Sequence, residues 1–194
     1  MNWREAERRR REVAAEAKRL PRERAAPFPR VVLGATTLTW VLVVVWLIWA
    51  LPDRVPLHWS MSDTPDRWGT KGEALAFAVA LPLLTAFPLI LISRLALIWP
   101  DGINLPDKDW WLETPQRLVR FERLLREDMM LMAAATLAIL VVADLSIAAA
   151  AQHPEGRAPW WMLPALGVAL VAMLAVIVRM LLPRRYRPDR QGHD

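Results

Sequence analysis

One acidic residue stands apart from the other residues of this sequence that could do chemistry. Asp144 is the only charged residue between positions 129 and 154, an otherwise apolar stretch. An ionised carboxylate inside a membrane span costs about 2.5 to 3.5 kcal/mol on insertion scales, so such acids are candidates for proton or ligand binding. The residue could instead be structural, either hydrated from the outer side or paired with Arg54 or Arg157. The sequence leaves both interpretations open.

Two histidines offer a second kind of chemistry. His58 and His153, together with Asp53, Asp63 and Asp66, are of the residue types that ligate zinc or copper. Their spacing matches neither HExxH nor another compact metal-binding motif. We therefore predict no metal site and expect His58 to be hydrogen-bonded within its own loop.

Other catalytic motifs are missing from the sequence. There is no cysteine, which excludes disulfides, thiol nucleophiles and cysteine-ligated clusters. No glycine-rich phosphate loop, GxSxG elbow or SxxK pair occurs either. We predict a non-catalytic protein without a cofactor. A membrane-embedded enzyme that uses Asp144 and His58 is the least favoured alternative.

The elements that would position these residues are long apolar segments. The chain of 194 residues is 55% hydrophobic and 23% charged, and the two classes are segregated along it. About 20 apolar residues in a helix cross a hydrocarbon core of about 30 Å. The sequence predicts an all-α membrane protein, a four-helix transmembrane bundle. Its spans are expected at about 31–52, 74–99, 129–151 and 160–182.

The basic residues predict the orientation of these spans. Of the 25 Lys and Arg residues, 21 lie in residues 1–30, 94–128 and 184–194 or at Arg179. The positive-inside rule places these segments in the cytoplasm. We predict a multi-pass protein of a bacterial plasma membrane, with both termini cytoplasmic and a membrane domain over 31–183 between a basic arm and a basic tail. We interpret the excess of basic residues as a topology signal. The lipid bilayer is therefore a predicted partner, and direct binding of nucleic acid is not predicted.

The cytoplasmic segments contain two predicted helices. The arm favours a short surface helix before Pro21, whose basic residues either attract anionic lipid or only fix the orientation. In the middle connection, Thr114 can cap a helix that presents Leu118, Phe121 and Leu125 on one face, with Arg117, Arg120 and Arg123 toward water or lipid phosphates. We expect this amphipathic cytoplasmic helix to lie at the inner surface and to run into the third span near Met129.

Several residues near the span ends are expected to serve the membrane itself. Arg179 can extend its guanidinium to the headgroups. Pro82 and Pro88 should kink or loosen the second span. The tryptophans near the span ends are interpreted as interfacial anchors. They are Trp49, Trp59, Trp68, Trp99, Trp110, Trp111, Trp160 and Trp161.

The loop between the first two spans is expected to be a compact extracytoplasmic cap. Its three prolines stiffen the chain, and a tight turn is predicted from Thr64, preset by Pro65 and released at Gly69. The loop carries a pattern of ten residues at fixed spacing. They are Leu51, Pro52, Pro56, His58, Trp59, Pro65, Asp66, Trp68, Gly69 and Lys71.

At these ten positions the sequence resembles the membrane proteins grouped as domain of unknown function 1648. Their members carry LPxxxPxH-aromatic and then PDxWGxK after the first span. The stretch INLPDKDWWLETPQR is similar to the cytoplasmic connection of short four-span members, and it makes Asn104, Pro106, Trp110 and Trp111 further candidates. This chain departs from the pattern at Ser60 and Asp63, where relatives often have Asn and Gly.

The resemblance also implies a role. The same family forms the N-terminal part of Sdp-type toxin-immunity membrane proteins of bacilli, which protect against a secreted peptide and recruit a small repressor to the membrane. We predict a protein of immunity or sensing type that binds an extracellular peptide, a partner membrane protein or a second copy of itself, with a cytoplasmic repressor as a further partner. The alternative is an accessory subunit of a transporter or other membrane complex. The candidate binding residues are Pro56, His58, Trp59, Pro65, Asp66, Trp68, Gly69 and Lys71.

Overall fold

The computed structural model describes residues 3–60, 64–102, 107–182 and 184–188, and it is mostly helical. The elements in chain order are α1 (Trp3–Ala17), α2 (Pro27–Ala50), β1 (Arg54–Trp59), β2 (Pro65–Thr70), α3 (Lys71–Ile92), α4 (Leu95–Ile98), a 3₁₀ turn (Pro100–Gly102), α5 (Lys108–Trp111), α6 (Pro115–Ala151) and α7 (Met162–Leu181). Four helices, α2, α3, α6 and α7, are long and apolar enough to cross a membrane. The protein is therefore a multi-pass membrane protein.

The long helix α6 is the centre of the helical array. The other three spanning helices pack on it, and among the described residues α7 contacts no other helix. At mid-height Ala133 and Leu137 of α6 are fully buried against Ala86 of α3. Small side chains at such contacts let helix backbones approach closely. The outer faces of α2, α3 and α7 are largely exposed and apolar, as lipid-facing surfaces must be.

The amphipathic helix runs directly into the third span, as expected. α6 runs unbroken from Pro115 to Ala151, with the Thr114 hydroxyl accepting from the Arg117 backbone N–H at 3.4 Å as its cap. Residues 115–128 therefore continue the third span by about 20 Å beyond the apolar segment.

The loop between α2 and α3 corrects the all-α prediction, because it is a two-stranded antiparallel hairpin. Arg54 pairs with Thr70 and Trp59 with Pro65, with irregular register around His58. The tight turn predicted at Thr64 is wrong, since Pro65 begins β2 and Gly69 lies within it. Both strands are edge strands, where the missing N–H of a proline is tolerated. Residues 61–63 of the connection, with Asp63, lie outside the described residues.

The array has two ends that differ in composition. We call the end with the hairpin and the loop 152–161 the hairpin end. The other end, with α1 and residues 93–102, 107–128, 182 and 184–188, is the charged end. At the charged end the basic arm forms α1 as expected, but Val13, Ala14 and Ala17 bury one face of it against α6. The helix is docked rather than free on a surface, because these small apolar residues fit between larger ones of α6.

Candidate functional site

The hairpin is stabilised by its own cross-strand contacts. The His58 Nδ1 and Asp66 Oδ1 atoms lie 2.7 Å apart, so His58 is hydrogen-bonded within the loop. This hydrogen bond holds the pKa of Asp66 below its ordinary value. Gly69 lies close to the Leu57 and Glu73 side chains, which would have to shift to admit a Cβ at this position. His58 and Asp66 are exposed, so the pair is available to solvent.

Two tryptophans join the hairpin to the loop 152–161. The Trp59 indole N–H donates to the Gly156 carbonyl at 2.9 Å. The Trp68 ring packs against Gly156, where an added Cβ would lie 2.6 Å from ring carbon Cη2, and Gly156 has a φ of +63°. The Arg54 guanidinium lies 4.5 Å from the Trp68 ring centroid on its face. Trp59 and Trp68 therefore pack on the loop, and their role as membrane anchors stays a prediction.

The hairpin is also fixed to the first turn of α3. The Lys71 backbone N–H donates to the Asp53 carbonyl at 3.1 Å, and the Thr70 hydroxyl caps α3 by accepting from the Glu73 N–H at 3.2 Å. Arg67 of β2 forms an ion pair with Glu73. The hairpin is thus joined to α3 by a backbone hydrogen bond. On its other side it is joined to Gly156, in the loop that follows α6.

A cavity of about 590 Å³ lies in the loop on the far side of this connection. Pro159, Trp160 and Trp161 give it apolar walls, and Arg157, His153 and Glu155 give it polar ones. Trp160 is 86% exposed, and Arg157 pairs with Glu155 at 2.6 Å. None of the residues of the ten-residue pattern lines this cavity. It has the size of a ligand pocket, which is commonly about 300 to 1,000 Å³.

Asp144 is placed in α6 but joins no cluster. Its side chain is buried, and its Oδ2 has no hydrogen-bond partner among the described residues. The pairing expected with Arg54 or Arg157 is wrong, because Arg54 lies on Trp68 and Arg157 pairs with Glu155. No contact joins Asp144 to His58 in the described part of the chain. A proton or ligand role for Asp144 stays a prediction.

The charged end contains a buried network of ion pairs that the sequence interpretation missed. Asp128 is fully buried, and its Oδ1 accepts from Arg179 Nε at 2.9 Å. Its Oδ2 accepts from the Tyr186 hydroxyl at 2.6 Å and from Arg185 Nε at 3.3 Å. Burial and the bond to Asp128 raise the pKa of Tyr186. Arg179, which was expected to extend to the lipid headgroups, thus has a buried carboxylate partner as well.

Two further acids extend the network to the N-terminal arm. Glu127 accepts from Arg185 Nη2 at 2.8 Å, from Arg123 Nη1 at 3.0 Å and from the Ala26 backbone N–H at 2.9 Å. Glu122 is buried and forms an ion pair with Arg22. Arg123 thus points to carboxylates rather than freely to water or lipid. The available sequence signal was Glu122, which falls on the same helical face as Leu118 and Leu125.

The candidates from the middle connection belong to the core of this end. Trp111 is almost fully buried, and its indole N–H donates to the Tyr186 carbonyl at 3.3 Å. Trp110 packs on it edge to face at a centroid distance of 4.7 Å, and Arg117 lies on Trp110. The anchor interpretation of Trp111 is wrong, because it is shielded from lipid. Asn104 and Pro106 lie outside the described residues.

Metal ligation finds no support in the part of the chain that the structure describes. There, no group of three or more His, Asp or Glu side chains could hold a metal ion.

Comparison with known proteins identifies the segment around the hairpin. Residues 35–86 match the family model described as Domain of unknown function (DUF1648). The stretch with Trp110 and Trp111 lies outside this match. An uncharacterized protein of Archaeoglobus fulgidus is 32% identical over 92 residues, which cover 42% of this chain and 50% of that protein. The chain thus matches about half the length of this curated relative. No solved structure matches. The matched residues 35–86 include the hairpin and most of α2 and α3, and this segment is what the chain has in common with the DUF1648 family.

Proposed function

We propose that this protein is a non-catalytic binding protein of immunity or sensing type, whose hairpin end recognises an extracellular peptide or the outer part of a partner membrane protein. The observation that carries the proposal is the braced hairpin. Its contacts with Gly156 and α3 hold the loop 152–161 and the adjacent 590 Å³ cavity in one arrangement. A preorganised surface loses less conformational entropy on binding than a mobile loop does.

The composition of the cavity fits a peptide. Trp160 offers a large exposed aromatic face, and the Arg157 and Glu155 pair can hydrogen-bond a peptide backbone or a charged side chain. Tryptophan and arginine are the residues most enriched at binding hot spots. Pro159 keeps this segment stiff.

The orientation belongs to the same proposal. Only 4 of the 25 basic residues lie at the hairpin end, so the positive-inside rule places it outside a bacterial plasma membrane and both termini in the cytoplasm. The charged end would then face the cytoplasm, where the sensing version of the role requires a partner such as a small repressor. Attachment of a reporter enzyme to residue 188 and, separately, within 155–158 distinguishes the two orientations.

The binding role is tested by deleting the gene and measuring survival against a broad panel of secreted antimicrobial peptides. We expect sensitivity to at least one peptide to rise, and we expect the intact chain to restore resistance. Trp160→Ala should fail to restore it because it removes the exposed wall of the cavity. Trp49→Ala is the matched control, since Trp49 is equally exposed at the same end but does not line the cavity. Unchanged sensitivity to the whole panel would argue against the immunity role.

A second candidate, an accessory subunit of a transporter or other membrane complex, is favoured by the sparse packing of α7. This helix contacts α6 alone among the described helices, which leaves both of its flanks for lipid or for a helix of another subunit or another copy. Purification in a mild detergent followed by mass measurement of the intact particle tests it. A clean monomer would count against this candidate and leave the peptide-binding role in place.

A further inference from the structure

A basic pocket of about 430 Å³ opens at the charged end between α2, α3 and α6. Its polar wall contains five arginines and one acid, namely Arg22, Arg24, Arg30, Arg94, Arg126 and Glu23. Ile90, Leu91 and Met130 complete the wall on the side of the spans. The pocket is therefore cationic on one side and apolar on the other.

The acids near the pocket neutralise only part of the charge of its five arginines. Glu23 is engaged by Arg123 at 2.6 Å, and Glu122 behind the wall is shared between Arg22 and Arg126. Arg24, Arg30 and Arg94 have no carboxylate partner among the described residues, although Arg30 Nε donates to the Ala26 carbonyl. A surplus of positive charge therefore faces the opening.

Arg126 gives an independent indication that the pocket holds a hydrogen-bond acceptor from a ligand. This side chain is about nine-tenths buried, and its Nε is buried without a hydrogen-bond partner in the described chain. Its Nη2 donates to the Glu23 carbonyl, and its Nη1 lies 3.6 Å from Glu122 Oε2. A buried, unsatisfied N–H of a charged group is costly, so an oxygen of a bound anion would relieve the cost.

The position of the pocket along the spanning helices indicates which anion it binds. Arg30 directly precedes the apolar run of α2, and Arg94 follows the last turn of α3. The arginines thus lie where phospholipid headgroups begin, and Leu91 and Met130 continue the wall toward the hydrocarbon. Guanidinium groups match phosphate oxygens in geometry, and basic pockets between spanning helices bind anionic headgroups. We propose that this pocket binds the phosphate of an anionic phospholipid, with an acyl chain along Leu91 and Met130.

Native mass spectrometry of the delipidated full chain, titrated with phosphatidylglycerol, tests the proposal. The variant Arg24→Gln/Arg94→Gln removes two pocket charges without breaking a described ion pair. We expect it to bind phosphatidylglycerol about 30-fold more weakly than the unmodified chain, which is the usual contribution of two basic residues near anionic lipid. Arg24→Lys/Arg94→Lys should recover part of the loss, and unchanged thermal unfolding confirms that both variants are folded.

The matched control is Arg8→Gln/Arg9→Gln, which removes the same charge from exposed positions of α1 at the same end. Its affinity should stay within about twofold of the unmodified chain. Equal weakening by the control and the pocket variant would show general surface attraction and overturn the proposal. If inorganic phosphate at saturating concentration displaces the lipid completely and shows the same dependence on Arg24 and Arg94, the site is one for soluble phosphate and the lipid assignment is overturned.

Discussion

At the hairpin end, aromatic rings and backbone carbonyls make the contacts, whereas the charged end adds buried ion pairs to its aromatic core. Trp59 and Trp68 fix the hairpin on Gly156, and the ion pairs there are exposed. At the charged end Asp128 is fully buried under Arg185 and Tyr186. The hairpin end thus depends on steric fit, and the charged end depends on the neutralisation of buried charges by their partners. Both ends cover the same four helices.

The difference has an energetic consequence. A buried ion pair contributes little net stability over apolar residues, but removal of one partner leaves an uncompensated charge and is severely destabilising. A steric contact depends instead on shape, so it responds to added volume and hardly to salt or pH. The two ends should therefore fail under different substitutions.

Asp128→Ala is expected to have the largest effect. It leaves the Arg179 and Arg185 guanidinium groups and the Tyr186 hydroxyl without their shared acceptor. We expect the free energy of unfolding to fall by about 3 to 5 kcal/mol. Titration with sodium dodecyl sulfate in mixed micelles, followed by tryptophan fluorescence, measures it.

The control for this substitution is Asp109→Ala. Asp109 pairs with Arg10 at 2.7 Å at the same end, but its side chain is 87% exposed. Its loss should cost less than about 1 kcal/mol. Equal losses for the two variants would mean that burial of Asp128 does not distinguish it from a surface ion.

Gly156→Ala should be the most damaging single substitution at the hairpin end. A Cβ at this residue would lie 2.6 Å from the Trp68 ring, and its φ of +63° disfavours any other L-residue. We expect a loss of about 2 to 3 kcal/mol, since strain and overpacking add. The loss should not change with salt concentration, in contrast to that at exposed ion pairs. The unfolding assay at low and high salt measures it.

Gly34→Ala is the corresponding control, because no atom lies within 4 Å of the Cβ it would add. Alanine in place of a helical glycine stabilises a helix by up to about 1 kcal/mol. A destabilised Gly34 variant together with an unaffected Gly156 variant would contradict the packing described at the hairpin end.

The sequence predicted the four apolar helices well, because a run of about 20 uncharged residues has few other structures available to it. It did not predict the hairpin, since β1 and β2 are short and each contains proline, which normally argues against a strand. The ten-residue pattern nevertheless marked the residues that form it. The role of those residues in packing on Gly156 depends on a partner almost 100 positions away.

The buried ion pairs were missed for the same reason. Arg22 meets Glu122, and Arg185 meets Asp128, across long sequence separations that no local pattern encodes. The positive-inside rule counts basic residues but is blind to their partners, so Arg179 was assigned to the headgroups. Acids at the boundary of an apolar run, such as Glu127 and Asp128, were the local hint that a basic partner had to be near.

Tyr186 allows a spectroscopic test of the charged end, because it is the only tyrosine in the chain. Its pKa is raised, so folding favours the neutral phenol. Its contribution to stability is complete below the unfolded pKa and is lost as the pH rises through the folded pKa. At about pH 11, one unit above the ordinary value near 10, the folded chain should show less tyrosinate absorbance than the unfolded chain.

The comparison is with the same protein unfolded in detergent, where tyrosinate should form near the ordinary pKa of about 10. The variant Asp128→Asn removes the carboxylate that opposes ionisation, so its tyrosinate should form at lower pH than in the unmodified chain. Coincident titration curves for the folded and unfolded protein would show that Tyr186 is not held by the network.

Acid should have the smallest effect, and it should act on the hairpin through Asp66. The pKa of Asp66 is lowered, so its bond to His58 contributes stability above the unfolded pKa of about 3.9 and loses it as the pH falls through the folded value. Both side chains are exposed, so the change stays local. The indole N–H resonance of Trp59, which reports the contact with Gly156, measures how far the loss spreads.

In Asp66→Asn, the Trp59 indole N–H resonance should no longer shift when the pH is lowered. At neutral pH its position should equal that in the unmodified chain. Asp53→Asn is the matched control, because Asp53 lies at the base of the same hairpin and contributes only its backbone carbonyl to the contact with Lys71. Its acid response should equal that of the unmodified chain. If Asp66→Asn displaced the Trp59 resonance as strongly as Gly156→Ala does, the hairpin end would also depend on charge, and the contrast between the two ends would not hold.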